Sequence, residues 1–107
     1  MIERIRTRDA FQRLRRDGRR VRADVLWCTY VLDPTLSAPH VAFAIGRPVG
    51  SAVTRNRLRR RLRALLSSAD LPAGWFLIGA SPAASTRSFD QLAQNVTKLA
   101  QRVSTAG

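Results

Sequence analysis

Between Pro34 and Ala69 the chain carries seven arginines and not one acidic residue. Six of these arginines fall within residues 55–63. The apolar residues of the same segment recur at helical spacing: Leu58, Leu62, Leu65, Leu66 and Ala69. Because this stripe needs a core to pack against, we predict a helix over residues 54–69 whose arginines face outward. Like charges at this spacing destabilise an isolated helix, so the segment must fold as a surface helix that favours a polyanionic partner.

The whole chain of 107 residues is strongly basic, with 19 lysines and arginines against 7 acidic residues and a formal net charge of +12. A second basic block, residues 1–22, holds nine arginines and three acids. Such a charge points to a nucleic acid or to an acidic membrane surface. Solvated charged faces usually mix signs, whereas residues 34–69 do not. We therefore expect the arginine-rich helix to bind nucleic-acid phosphates, and we expect no membrane partner.

The first part of the chain predicts one helix and one long extended segment. Thr7 is suited to cap a helix over residues 8–17, which Gly18 ends. Residues 21–32 are rich in β-branched and aromatic side chains. The side chains on the two faces of this segment are both apolar: Val25, Trp27 and Val31 on one face, and Leu26, Cys28 and Tyr30 on the other. This pattern indicates a strand covered on both faces, with one further short strand around residues 19–23.

Two more strands and a last helix complete the pattern. Residues 40–46 form a strand with only small side chains on one face, which leaves room for a packed helix or a ligand. Residues 75–80 form a short buried strand, and residues 88–91 are a capping box that opens a final helix. The apolar face of that helix comprises Phe89, Leu92, Val96, Leu99 and Val103.

The predicted order is therefore α-β-β-α-β-α, with the further short strand as an addition. It indicates a single domain over residues 1–107, an α/β (α+β) two-layer sandwich in which helices pack on a small mixed sheet of three to four strands. The strand–helix–strand unit over residues 40–80 should form a crossover.

Aromatic side chains near basic ones suggest stacking of nucleotide bases. Phe11 and Tyr30 are the candidates, although both residue types also fill cores. His40 and Cys28 have no partner at catalytic or metal-ligand spacing, so we predict no catalytic residue and no metal ligand in the protein. A single cysteine excludes an internal disulfide and indicates a reducing, cytoplasmic location.

The segment from Phe43 to Arg63, FAIGRPVGSAVTRNRLRRRLR, resembles the signature of the bacterial ribonuclease P protein component. In that family a basic pair precedes Val-Gly, then Asn/Ser-Ala-Val follows, and Arg-Asn-Arg opens an arginine-rich helix. Further agreements in the family's order are Phe11-Gln-x-Leu-x-x-x-Gly18, Tyr30, and the helix with Phe89 and Leu92.

The resemblance implies a sandwich like domain 2 of ribosomal protein S5, with a left-handed crossover around the arginine-rich helix. It also implies a non-catalytic subunit, one per ribonuclease P RNA, in an endoribonuclease that removes the 5′ leader of precursor tRNA. The Mg²⁺ ions of the reaction would be held by the RNA, and the protein would bind no cofactor. The alternative is a small ribosomal or general RNA-binding protein without a role in tRNA processing, which explains the charge equally well. A self-sufficient nuclease is disfavoured because no carboxylate cluster is present.

The resemblance finally implies site residues. The contacts to the catalytic RNA would be Arg55, Asn56, Arg57, Arg59, Arg60, Arg61 and Arg63. The single-stranded leader would lie in a cleft between the first helix, the sheet and the arginine-rich helix, with contacts from Phe11, Arg15, Tyr30 and Arg47. Three residues depart from the family's pattern. Arg15 stands where an aromatic is common, Pro48 replaces a basic residue, and Ala64 stands where an acidic or polar residue is frequent. We therefore expect leader binding to depend more on charge than on stacking.

Overall fold

A computed structural model describes residues 1–106 of the chain. The helices are α1 (Arg8–Asp17), α2 (Ala52–Ser68) and α3 (Phe89–Ala106). The strands are β1 (Glu3–Arg4), β2 (Arg19–Ala23), β3 (Leu26–Leu32), β4 (Pro39–Ala44) and β5 (Gly74–Ala80). Short 3₁₀ turns lie at Arg47–Val49 and Pro82–Thr86. None of the helices described is long and apolar enough to cross a bilayer.

The five strands form one mixed sheet in the order β1-β4-β5-β3-β2. β4 runs parallel to both β1 and β5, whereas β3 is antiparallel to both β5 and β2. The crossover predicted over residues 40–80 is confirmed, because α2 connects the adjacent parallel strands β4 and β5. The predicted mixed sandwich is also confirmed, with five strands rather than three to four.

The long extended segment is two strands joined by a tight turn at Asp24. Asp24 has a φ of 53°, a left-handed conformation that aspartate tolerates better than most residues. Its carboxylate accepts hydrogen bonds from Arg87 Nε at 3.3 Å and from the buried Asn95 Nδ2 at 3.4 Å. The turn of the β2–β3 hairpin is therefore tied to the start of α3 and to the segment before it.

The helix α1 packs on one face of the sheet. The Thr7 hydroxyl caps it by accepting from Ala10 N at 3.3 Å, as predicted. Its buried side chains form a small cluster with residues of β3, β4 and β5: Ile5, Ala10, Leu14, Val31, Ala42, Trp75 and Leu77. Ala42 is one of the small residues predicted to leave room for a helix, and α1 occupies that room.

Gly18 sets how closely α1 approaches β3. A Cβ at this position would lie 2.2 Å from the Leu14 carbonyl oxygen and 2.6 Å from Thr29 Cγ2. Only glycine therefore allows the end of α1 to lie directly against the strand.

The opposite face of the sheet carries the main core. Phe76 and Ile78 of β5 and alternate residues of β3 pack there against α2 and α3. The helix residues involved are Leu58, Leu62, Leu66, Leu92, Val96, Leu99 and Val103. The capping box of α3 is confirmed, because Gln91 N donates to Ser88 Oγ at 3.1 Å and Ser88 N donates to Gln91 Oε1 at 2.9 Å. Phe89 departs from the predicted apolar face and is 45% exposed.

Candidate nucleic-acid interface

The start of α2 is fixed by the turn that follows β4. Gly50 has a φ of 148°, which side-chain-bearing residues rarely adopt. Ser51 then caps the helix by accepting from Thr54 N at 3.3 Å. No acidic residue lies in the first turn of α2, so the positive end of the helix dipole adds to the arginine charges instead of being neutralised.

The arginines of α2 differ in how firmly they are held. Arg59 donates to Asn56 Oδ1 at 2.8 Å and to the Ile45 carbonyl oxygen at 3.3 Å, so it links the helix to the end of β4. Arg57 and Arg60 are exposed, and their guanidinium groups are free to meet a partner. The arginine face thus combines a hydrogen-bonded arginine at its centre with exposed arginines around it.

No carboxylate neutralises this face within residues 1–106. The ion pairs there join Arg13 to Asp33 at 2.9 Å, Arg16 to Asp17 at 3.3 Å and Arg87 to Asp24 at 3.3 Å. None of these pairs includes an arginine of α2. The hydrogen bond from Arg87 lowers the pKa of Asp24, and the hydrogen bonds from Thr35 lower the pKa of Asp33. The uncompensated charge of α2 therefore offers a continuous surface to a polyanion.

The α2 charge continues onto the edge of the sheet. Arg63 places its Cζ 5.5 Å from the centre of the Phe43 ring, within cation–π range. A hollow of about 300 Å³ lies beside this pair and is also lined by Arg4, Arg6 and one acidic residue, Glu3. We call this basic area the helix surface; it comprises the arginines and Asn56 of α2 together with Arg4 and Arg6.

A groove lies on the other face of the sheet, between α1 and the β2–β3 hairpin. It encloses about 350 Å³, and its lining residues are Phe11, Leu14, Arg15, Gly18, Arg20, Thr29 and Leu77. Phe11 is 38% exposed. Arg15 and Arg20 stand exposed beside it. This α1 groove therefore combines an apolar ring with positive charge, which suits a single nucleic-acid strand.

A family model described as Ribonuclease P matches residues 2–104. The chain belongs to the ribonuclease P protein family. The ribonuclease P protein component of Acidothermus cellulolyticus is 38% identical over 105 residues, covering 94% of this chain and 87% of that relative. The counterpart from Roseiflexus castenholzii is 36% identical over 106 residues, covering 92% and 84%. The Thermus aquaticus protein is 38% identical over 97 residues, and the chain spans only 55% of its length.

Solved ribonuclease P proteins share the fold at low sequence identity. The protein from Thermotoga maritima superposes with a TM-score of 0.80 at 18% identity, covering 94% of this chain and 96% of that one. The Staphylococcus aureus protein superposes with a TM-score of 0.78 at 18% identity, covering 94% of each chain.

The predicted RNA contacts of this ribonuclease P family member lie together on α2. Asn56, Arg57, Arg60 and Arg63 are exposed, while Arg55, Arg59 and Arg61 are half-buried. Arg55 Nε is buried without a hydrogen-bond partner in the part of the chain described. The structure thus brings these seven residues onto one helix, and their contact with RNA stays a prediction.

The predicted leader contacts are only partly brought together. Phe11 and Arg15 both line the α1 groove, whereas Arg47 is exposed in the turn after β4 and is not among the groove residues. Tyr30 is not among the residues that line the α1 groove, and it lies instead beside Asp17 and Arg19 around a separate hollow of about 240 Å³. Its contact with the leader stays a prediction. Tyr30 is 2% exposed and stacks on Phe76 in the main core, with ring centres 6.1 Å apart and planes 16° apart.

The absence of Tyr30 from the α1 groove has a simple physical cause. Side chains alternate between the two faces of a strand, and both alternating sets of β3 are apolar, so hydrophobicity did not distinguish the face toward α1. The structure places Thr29, one residue earlier, in the α1 groove. The close approach of Thr29 to Gly18 and the packing of Val31 beside Ala10 and Leu14, both features of the folded chain, show which set faces α1.

Sequence reasoning also missed Arg4, Arg6 and Arg20. The strand β1 has only two residues, too few to show any periodicity. Arg4 and Arg6 were therefore not assigned to any element. Arg20 became a groove residue only because β2 pairs with β3 and sets Arg20 opposite Thr29. A turn signal at Asp24 could have revealed that pairing.

The two residues with reactive side chains are engaged elsewhere. Cys28 is 1% exposed in the main core, and burial raises the pKa of its thiol to about 12. The His40 ring lies 4.9 Å from the Trp75 ring, with Nδ1 3.0 Å from the Ala38 carbonyl oxygen. Within residues 1–106 no three His, Cys, Asp or Glu side chains are grouped as metal ligands.

Proposed function

We propose that this chain is the protein subunit of ribonuclease P, which binds the catalytic RNA through the helix surface and the 5′ leader of precursor tRNA through the α1 groove. One observation carries the proposal: two basic surfaces of different form lie on opposite faces of one sheet. A broad charged helix suits the phosphates of a structured RNA, and a narrow groove with an exposed ring suits an unpaired strand. One protein would thus hold an enzyme RNA and its substrate at a fixed separation.

The helix surface supports docking through phosphates. Each arginine offers a planar fork of donors that matches two phosphate oxygens. Arg59 is already ordered by its bonds to Asn56 and to the Ile45 carbonyl, so little further ordering is needed there on binding. Arg57 and Arg60 are free to adapt to the RNA backbone.

The α1 groove supports binding of the leader by charge with one apolar contact. Phe11 offers a ring on which a base can stack, and Arg15 offers a donor for the adjacent phosphate. Bases in a single strand can turn toward such a ring, whereas paired bases cannot. The groove would therefore favour precursor tRNA over mature tRNA.

Hydrolysis itself is assigned to Mg²⁺ held by the RNA. Mg²⁺ binds through carboxylates and phosphates. Three of the seven acidic side chains, Asp17, Asp24 and Asp33, are bonded to arginines. Because no three His, Cys, Asp or Glu side chains are grouped within residues 1–106, the side chains described do not fit the ion. The protein would act by neutralising phosphates where the two RNAs meet, which lowers the Mg²⁺ concentration that the complex requires. We further propose one protein per RNA and a cytoplasmic location.

The deciding experiment is cleavage of a precursor tRNA by a bacterial ribonuclease P RNA at low Mg²⁺, with and without this protein. We expect a large gain in rate and no cleavage by the protein alone. Tight, salt-sensitive RNA binding without any gain would favour the general RNA-binding alternative. Cleavage by the protein alone would refute the assignment of catalysis to the RNA.

A second measurement tests the docking surface. If about six or seven phosphates are neutralised, the slope of log K against log salt should lie near −4 to −6. Arg57→Ala with Arg60→Ala should reduce the magnitude of that slope by about 2. The matched control is Lys98→Ala with Arg102→Ala, which removes two exposed charges from α3 and should leave the slope for the catalytic RNA nearly unchanged. Equal reductions in both variants would count against a specific helix surface.

A further inference from the structure

The floor of the α1 groove continues onto a part of the sheet that α1 does not cover. Trp27 lies there, on the same face as Thr29 because the two residues are two apart in β3. The Cζ atom of Arg20 lies 4.2 Å from the centre of the Trp27 ring, well within cation–π range. Arg20 also lines the groove. Arg20 therefore joins the groove to the tryptophan.

The position of Trp27 is built into the sheet. Gly79 of the neighbouring strand β5 is paired with Trp27. A Cβ at Gly79 would lie 1.9 Å from the indole atoms Cε2 and Cζ2 of Trp27. Only glycine therefore lets the indole rest directly on the backbone of β5. Ala44, the next residue across the sheet, is exposed, so no helix closes over this area.

The charged side chains that line the groove or share this face of β2 with Trp27 are arginines. Arg20 and Arg22 alternate along β2 on the same face, and Arg15 faces them across the groove. Arg22 donates to Ser81 Oγ at 3.4 Å, and none of the ion pairs in residues 1–106 includes any of these three arginines. An aromatic ring and arginine planes among uncompensated positive charges favour a single-stranded nucleic acid as the occupant.

We propose that Arg20 and Trp27 form a second stacking position for single-stranded RNA, adjoining the one at Phe11. A base would stack on the guanidinium that the indole supports, while the strand's phosphates face Arg15 and Arg22. The leader would thus pass from α1 onto the open part of the sheet. This inference rests on the proposed function for the identity of the bound RNA as the leader. It adds Arg20, Arg22 and Trp27 to the residues predicted to contact the leader.

Tryptophan fluorescence tests the position directly on the full-length protein. The variant Trp75→Phe leaves Trp27 as the only tryptophan, and the matched control Trp27→Phe leaves only Trp75, which packs under α1. Both are titrated with a single-stranded RNA of about eight nucleotides. We expect a saturable, salt-sensitive loss of emission from Trp27 and little change from Trp75. An unchanged Trp27 emission at saturating RNA would overturn the proposal.

Affinity measurements on the reconstituted holoenzyme test the contribution of the stack. We expect Trp27→Leu to weaken binding of a precursor tRNA with a leader of about eight nucleotides by about 5-fold to 100-fold. Binding of a precursor with a one-nucleotide leader should be unaffected, and Trp27→Phe, which keeps a ring, should retain most of the affinity. An equal loss on both substrates would assign Trp27 a merely structural role and overturn the proposal.

The two hypotheses fail in different ways. If the unmodified holoenzyme shows no preference for the longer leader, the proposed function fails, and the fluorescence titration still decides whether Trp27 binds RNA. If the preference is present and Trp27→Leu retains it fully, only the second stacking position is refuted.

Discussion

Removing two arginines from α2 should make the free protein more stable while weakening its RNA binding. Arg57 and Arg60 are exposed and make no ion pair in the part of the chain that the structure describes. At helical spacing they form three like-charge pairs: Arg57 with Arg60, Arg57 with Arg61, and Arg60 with Arg63. Each such pair costs roughly 0.2–0.5 kcal/mol at low salt. The variant Arg57→Ala with Arg60→Ala should therefore gain about 0.6–1.5 kcal/mol in free energy of unfolding.

The matched comparison is Arg59→Ala in the same helix. It also relieves like-charge repulsion, with Arg55 and Arg63, but it removes the bonds to Asn56 and to the Ile45 carbonyl. Each lost hydrogen bond costs about 0.5–1.5 kcal/mol, which outweighs the relief. This variant should therefore be less stable than the unmodified protein.

Urea denaturation followed by circular dichroism measures both effects. The titrations are run at low ionic strength and repeated at about 1 M NaCl, where screening shortens the range of charge interactions to about 3 Å. The gain of the double variant should shrink at high salt, whereas the loss in Arg59→Ala should persist. A double variant that is less stable at low salt would refute the claim that these charges are uncompensated in the free protein.

Three further predictions concern the sheet and its turns. Gly18→Ala should lower the free energy of unfolding by about 1–3 kcal/mol, because its Cβ would lie 2.6 Å from Thr29 Cγ2; thermal denaturation measures the loss, and unchanged stability would refute the close approach. Tyr30→Phe should leave stability unchanged or raise it by up to about 1 kcal/mol, since the buried Tyr30 hydroxyl has no hydrogen-bond partner among residues 1–106. A clear loss in urea denaturation would show that the hydroxyl is bonded. The hydrogen bond from Arg87 lowers the pKa of Asp24 in the folded protein below its ordinary value of 3.8. The ionised Asp24 carboxylate therefore stabilises the fold above about pH 4, and this stability is lost as the pH falls through the pKa of the folded state. An acid titration of Asp24→Asn should therefore show a weaker loss of stability below about pH 4 than the unmodified protein, and identical curves would contradict the contact.

The helices were predictable because each carries a single apolar stripe, and capping residues were predicted for α1 and α3. No cap was predicted for α2, which begins at Ala52 rather than at residue 54. Thr7, Gly18 and the Ser88–Gln91 box fixed the ends of α1 and the start of α3 within a residue or two. The arginine-rich helix was predictable for the same reason, since its leucines define the buried side. Helical spacing alone was enough to group its seven RNA-contact candidates on one element.

The groove was harder to predict because it depends on the pairing of strands. The short strand predicted around residues 19–23 is confirmed as β2. Because the extended segment predicted over residues 21–32 overlaps it, neither the turn at Asp24 nor the placement of Arg20 opposite Thr29 was predicted. The face of Tyr30 could not be read from a strand that is apolar on both sides. The importance of Gly79 could not be predicted from the sequence, because the glycine makes room for the Trp27 indole only once β5 is paired with β3.

The strand β3 separates the main core from the face that we propose binds RNA, and its residues alternate between the two. Cys28 and Tyr30 are buried toward α2 and α3, while Trp27 and Thr29 face the α1 side. A scan of substitutions along this strand should therefore give an oscillating result, in which every second position changes the melting temperature and the positions between them change the choice of substrate. Shifting β3 by a single residue would turn its core side chains toward α1 and its groove side chains toward the core. The register of β3 is therefore constrained both by stability and by the groove.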